Sequence, residues 1–219
     1  MLALLHTSPV HIPVFEALRD EDHPGLELRH RVEETLLARA RAEGPAAVAG
    51  AVRAALARAS AADADAVLCT CSTIGGIAER AQTTVPVLRV DRPMAAAAVA
   101  AGPRIVVLAA LESTLAPTAA LVEDEARAAG RPVTVRTLLA DGAWARFEAG
   151  DRDGFAAAVA ASADAVTGAD VIVLAQASMA PARRLATTAV PVLASPRPGL
   201  AAAADAVRRA RTGPVRRRG

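Results

Sequence analysis

Residues 65–76 read DAVLCTCSTIGG, and residues 170–181 read DVIVLAQASMAP. Each opens on an aspartate, continues as the short apolar run that a buried parallel strand requires, and then breaks into small and polar residues. Asp65 and Asp170 stand 105 positions apart, and the same register carries VPVL at 85–88 onto VPVL at 190–193. A further pair, PVFEALRDED from Pro13 and PTAALVEDEA from Pro117, repeats at 104. Matches that share one register mark an internal duplication. The chain therefore reads as two copies of a βαβ-rich lobe, in which Cys71 corresponds to Gln176, Ser72 to Ala177 and Thr73 to Ser178.

Around these stretches, β-branched runs alternate with Ala/Arg/Glu-rich helical patterns. Strands are expected near 1–6, 26–30, 66–70, 86–90, 104–109, 132–137, 171–175 and 190–194. Helices are expected near 12–20, 33–60, 75–82, 92–101, 115–129, 143–149, 152–167, 179–187 and 198–211. Alternation of this kind predicts the α/β class, with parallel sheets flanked by helices. The expected architecture is two pseudo-symmetric lobes, 1–100 and 101–211, the C-terminal helix of the first being a candidate to cross over. A basic tail, 212–219, is expected to be disordered. Sites in such sheets lie at the carboxyl ends of the strands, here in the cleft between the lobes.

Composition removes several function classes. Hydrophobic residues make up 53% of the 219, and all 25 basic residues are arginine. Without lysine there is no Schiff-base nucleophile for pyridoxal phosphate or carbonyl chemistry, and a Walker-type phosphate loop lacks its cation. The last thirteen residues, VRRARTGPVRRRG, hold six arginines and no acid, so the rest of the chain carries 19 basic against 23 acidic residues. No aromatic residues are interleaved with that tail to stack on bases, so a nucleic-acid partner is not expected. MLALLHTSPV is too short and lacks the basic lead of a secretory signal, and no long uncharged apolar run predicts a membrane span. A CxC pair is poorly placed for a structural disulfide, which makes a reducing cytoplasm the expected location.

The chemistry concentrates at Cys71. A thiol at a helix N-terminus is expected to have its pKa drawn down toward neutrality, where it serves as a general base. Ser72, Thr73 and the amides leading to Gly75 are placed to hold a substrate carboxylate and to stabilise the enediolate formed when the α-carbon becomes planar. Thr7, Ser8, Thr114, Thr118 and Ser178 are further donors from other strand ends. Cys69, inside the strand, reads as packing.

The set formed by TCST-IGG, VPVLRVDRPM, VIVLAQASMAP and VPVLASPR, on two related lobes, resembles the aspartate/glutamate/hydantoin racemase superfamily, which includes arylmalonate decarboxylase and maleate isomerase. The resemblance covers nearly the whole chain. It implies a cofactor-independent site, without metal, to which each lobe contributes one cysteine: one thiolate removes the proton α to a carboxylate and the opposite thiol returns one to the other face. It also implies a homo-oligomer, and a small carboxylate or cyclic amide as substrate. The departure from that pattern is Gln176, an amide that exchanges no useful proton near neutral pH.

Three readings remain open. The chain is an isomerase whose second proton donor is another group or water, with His6 and Glu112 as candidates. Alternatively it is a one-thiol decarboxylase, with Ala175, Ala177 and Met179 lining an apolar pocket, although in arylmalonate decarboxylase the lone thiol lies in the second lobe. The third reading is a carboxylate-binding protein without turnover. His11, His23 and His30 read as surface or loop residues, Trp144 as packing, and Asp91 as either a cleft residue or a helix cap.

Overall fold

The aliphatic runs form two four-stranded, wholly parallel sheets in a computed structural model that describes residues 1–61 and 63–212. The first contains β1 (Leu2–His6), β2 (Leu28–Val32), β3 (Ala66–Cys69) and β4 (Val87–Arg89) in the order β2-β1-β3-β4. The second contains β5 (Arg104–Ala109), β6 (Thr134–Leu139), β7 (Val171–Leu174) and β8 (Val192–Ala194) in the matching order β6-β5-β7-β8. Both sheets change direction of progression at their central pair, which leaves a crevice beyond the carboxyl ends of β1 and β3 and of β5 and β7. Pairing of Leu5 with Cys69 and of Leu108 with Leu174 brings those ends level.

Strand bounds agree with the sequence expectations to within two residues; the central strands, covered on both faces, are runs of small aliphatic residues, whereas the edge strands β2 and β6 carry Arg, His and Thr. Three helical expectations change. The stretch 33–60 is broken into α2 (Glu34–Glu43) and α3 (Ala49–Ser60) by Gly44, with φ of 88°, and Pro45. The helix expected at 75–82 is α4 (Ser72–Glu79), which starts immediately after Cys71. The helix expected at 179–187 is a 3₁₀ segment, Ala177–Arg184, with Pro181 inside it. The remaining helices are α1 (Ile12–Asp22), α5 (Arg92–Ala101), α6 (Leu115–Ala128), α7 (Ala143–Glu148), α8 (Arg152–Asp164) and α9 (Pro196–Thr212).

The lobes exchange helices. Met94, Ala95 and Ala98 of α5 pack on Ile105, Val107 and Val171 of the second sheet, whereas Leu200, Ala203 and Val207 of α9 pack on Leu2, Leu4 and Leu68 of the first. With so few aromatic residues the two faces are filled by small aliphatics, and the phenyl ring of Phe15, fully buried, anchors the first lobe. Except for Thr212, the basic tail lies outside the described residues. Among the described residues no helix is long and apolar enough to cross a membrane.

Candidate active site

Cys71 leaves β3 in an extended conformation and forms the N-cap of α4. The next residue ties the lobes together: Ser72 Oγ donates to the Ala175 carbonyl at the end of β7, at 2.7 Å. That bond commits the hydroxyl which the sequence had offered to a substrate. Thr73 differs, because its Oγ1 is buried without a hydrogen-bond partner among the described residues. A buried hydroxyl left unpaired is costly, and a ligand oxygen is the acceptor or donor it lacks. On the opposite side Gln176 caps the 3₁₀ segment. Its Oε1 accepts from the Ala110 and Leu111 N–H groups at 2.7 and 2.9 Å, which fixes the orientation of the amide.

Between the lobes lies a cavity of about 50 Å³ that brings these groups together. Thr7 and Ser8, which follow β1, and Thr70, Cys71, Ser72 and Thr73, which follow β3, line one side. Thr114, Gln176 and Ser178 line the other. Several residues expected there lie elsewhere. His6 is fully buried behind Thr70, with its Nδ1 2.8 Å from Thr70 Oγ1, and Thr118 is buried within α6. Glu112 is exposed beyond β5 and does not line the cavity. Ala175 and Met179 pack into the second-lobe cores, leaving Ala177 alone of that trio in the cavity wall. Asp91 does not line the cavity; it stands at the N-cap position of α5, where its side chain makes no cap hydrogen bond and its carboxylate pairs instead with Arg89.

The electrostatics reverse one expectation. Burial pushes the Cys71 thiol up, and hydrogen bonding from the Thr7 hydroxyl and the Ile74 and Thr73 N–H groups offsets only part of that effect. Thr73 Oγ1, although it makes no bond of good geometry, adds a weaker pull in the same direction. The resting group is therefore a protonated thiol. Cys69, buried in the first-lobe core, is pushed up to about 12 chiefly by desolvation and is inert packing. Among the described residues no Arg, Asp or Glu side chain lines the cavity. His11, which does, is lowered to about 4 by burial and by the nearby Arg152, so its imidazole is neutral.

A family model described as Asp/Glu/Hydantoin racemase matches residues 12–204. The chain belongs to the Asp/Glu/hydantoin racemase family. Among solved structures, allantoin racemase from Pseudomonas fluorescens is 24% identical, with a TM-score of 0.66 over 95% of this chain and 91% of that one. Aspartate racemase from Picrophilus torridus is 15% identical, with a TM-score of 0.67 over 96% and 93%. Arylmalonate decarboxylase is 19% identical, with a TM-score of 0.55 over 100% and 95%. No curated protein matches the chain. These likenesses share the two-lobe fold, and membership makes the protein a racemase-family enzyme whose reaction is left to its own pocket residues.

That racemase-family pocket has an outer wall which sequence reasoning missed. Leu37 of α2, Leu111, and Trp144 and Phe147 of α7 line it, and His11 joins them from the turn before α1. The Trp144 and Phe147 rings stack at 4.8 Å and 18°, and the Arg152 guanidinium lies 4.0 Å above the Phe147 ring. Arg41 and Glu148, 3.5 Å apart, join α2 to α7 across the lobes. One signal was present: a chain with one Trp and three Phe places two of those four rings three residues apart on one short helix.

Proposed function

We propose that the protein transfers a proton at the carbon α to a carboxylate, or α to the carbonyl of a cyclic amide, with Cys71 as the acid and base. The observation that carries this reading is one cavity holding the Cys71 thiol beside the unpartnered Thr73 hydroxyl, without a charged side chain in its lining. Bringing an ammonium or a second carboxylate into such a cavity leaves a charge desolvated and unpaired, at a cost of several kcal/mol. For proton exchange the fitting substrate is therefore a compact monoanion or an uncharged ring, whereas a second carboxylate fits only where the reaction expels it as carbon dioxide. A zwitterionic acidic amino acid does not fit.

In the reaction, Cys71 first loses its thiol proton to solvent; the thiolate then takes the α-proton, and charge moves onto the substrate oxygen. Thr73 Oγ1 supplies a hydrogen bond that stabilises this oxyanion, and the positive end of α4 favours its charge, while the Thr73 and Ile74 N–H groups serve the sulfur. Return of the proton from Cys71 restores the starting configuration. Inversion requires a donor other than Gln176, whose amide holds its hydrogens and whose oxygen is bound to Ala110 and Leu111.

A second reading is favoured by the resting thiol and by the apolar wall of Leu37, Leu111, Trp144 and Phe147. Loss of carbon dioxide next to an apolar wall leaves a carbanion, which Cys71 protonates on one face. Incubation in deuterated water with 5-substituted hydantoins, arylmalonates and amino acids separates the two readings. Deuterium at Cα without mass loss identifies the isomerase, and release of carbon dioxide identifies the decarboxylase. Cys71→Ala is expected to lower either rate by about 10²–10⁴-fold. Full exchange by that variant overturns the assignment.

A further inference from the structure

A run of hydrogen bonds leaves the cavity and reaches the protein surface. Thr70 lines the cavity, and its Oγ1 lies 2.8 Å from His6 Nδ1. His6 Nε2 is 2.8 Å from His30 Nδ1, and His30 Nε2 is 2.9 Å from Glu16 Oε1. The sheet order β2-β1-β3 sets His30, His6 and Thr70 side by side, and α1 brings Glu16 over them. His6 is fully buried, whereas the Glu16 side chain is 35% exposed. No step proposed above uses these imidazoles.

Two proton arrangements satisfy every bond in this run, and they differ by one proton. In the first, Thr70 O–H donates to His6 Nδ1, His6 Nε2–H to His30 Nδ1, and His30 Nε2–H to Glu16. In the second, His30 carries both hydrogens, donating Nδ1–H to His6 Nε2 and Nε2–H to Glu16. His6 Nδ1–H then donates to Thr70 Oγ1, and the Thr70 hydroxyl turns to the Leu5 carbonyl, 3.2 Å away. Neither arrangement places a charge on buried His6.

We propose that Thr70, His6, His30 and Glu16 form a proton wire between the cavity and solvent. The wire deepens the proton-transfer reading, on which its catalytic use rests. In one concerted shift Thr70 gives its hydroxyl hydrogen to a substrate carbanion, His6 Nδ1–H replaces it, and His30 Nδ1–H passes to His6 Nε2. The substrate gains one proton and His30 returns to neutrality, to be recharged from solvent beside Glu16. His6 is lowered to about 3 by burial and by His11 and His30, so it passes protons without holding a charge of its own. Facing the run are His11, whose ring is 6.2 Å from His6, and Glu16 and Arg19 on α1, with Arg29 and Arg31 flanking His30 on β2.

The test needs no substrate. Nitrogen NMR of the full chain reports which ring nitrogen of each histidine is protonated. His6 is expected to carry its hydrogen on Nε2 at high pH and to exchange it for one on Nδ1 at the pH where His30 takes up its second proton. Glu16→Gln, at the surface, leaves the core intact and is expected to lower the His30 midpoint, with the His6 change following it to the same pH. A His6 ring that keeps one tautomer while His30 titrates overturns the wire. Absence of deuterium uptake by any hydantoin or arylmalonate counts instead against Cys71, and leaves the tautomer measurement to decide the wire.

Discussion

Gln176 is more than a vacant place for a thiol. Its Oε1 is the acceptor for two successive main-chain N–H groups, Ala110 and Leu111, where the chain turns out of β5. Gln176→Cys removes that acceptor, and its expected cost is about 1–3 kcal/mol, from buried donors left unpaired. Gln176→Glu keeps an oxygen there and, at a pH low enough to hold the new carboxyl protonated, is expected to unfold close to the parent midpoint at that pH. If a second thiol is all that separates this pocket from a two-base racemase, the same Gln176→Cys protein loses stereochemical memory during deuterium exchange. Denaturant unfolding and chiral chromatography read the two effects separately. Unchanged stability in Gln176→Cys contradicts the structural role of the amide. The position of Cys71 between a buried strand and a helix was legible, because the apolar run stops at Cys69 and small and polar residues follow it. The direction of the Cys71 pKa was not legible: the helix N-terminus shows in sequence, but the burial that outweighs it depends on how the folded chain packs around the thiol.

At the scale of elements, the central strands were readable because parallel pairing between two helical layers leaves little room for anything but small aliphatic residues. The Gly44–Pro45 break and the 3₁₀ segment around Pro181 were present in the letters, yet an unbroken Ala/Arg/Glu pattern masked them. The cavity wall was less readable, since Trp144 and Phe147 facing a pocket have the same spelling as rings facing a core. The glycine pair after Cys71 also has a purpose that spacing does not reveal. An added Cβ at Gly75 would lie 3.1 Å from Arg89 Nε, so α4 rests directly on the Arg89 guanidinium. Arg89 in turn makes a two-point pair with Asp91, at 2.7 and 2.9 Å, and the two side chains are 5% and 0% exposed. Arg89→Met strands a buried carboxylate and is expected to cost about 3–5 kcal/mol. Arg89→Met combined with Asp91→Leu removes both charges and is expected to recover most of that loss. Urea unfolding tests this, and equal losses in the single and double variants contradict a buried pair beneath the helix that carries Cys71.

For the whole molecule, a site assembled from two lobes is only as well defined as the link between them. Ser72 bonded to Ala175 is one link, and Arg92, which contacts both Glu79 of α4 and Glu125 of α6, is another. The larger one is the exchange of α5 and α9, since each lobe covers its partner's sheet with its own last helix. Gly199 permits that exchange. A Cβ there would lie 2.3 Å from the Val90 carbonyl oxygen, a main-chain atom with little freedom to move aside. Gly199→Ala therefore pushes α9 off the first sheet, at an expected cost of about 1–3 kcal/mol. Because α9 belongs by sequence to the second lobe, the loss is expected to be felt in both. Trp144 reports on the second lobe through its fluorescence, and far-ultraviolet dichroism reports on all helices. In Gly199→Ala both transitions are expected to move together to a lower midpoint. A Trp144 transition that stays at the parent value while the dichroism shifts would mean that the lobes unfold independently, leaving the exchanged helices without a role in holding Cys71 opposite Gln176.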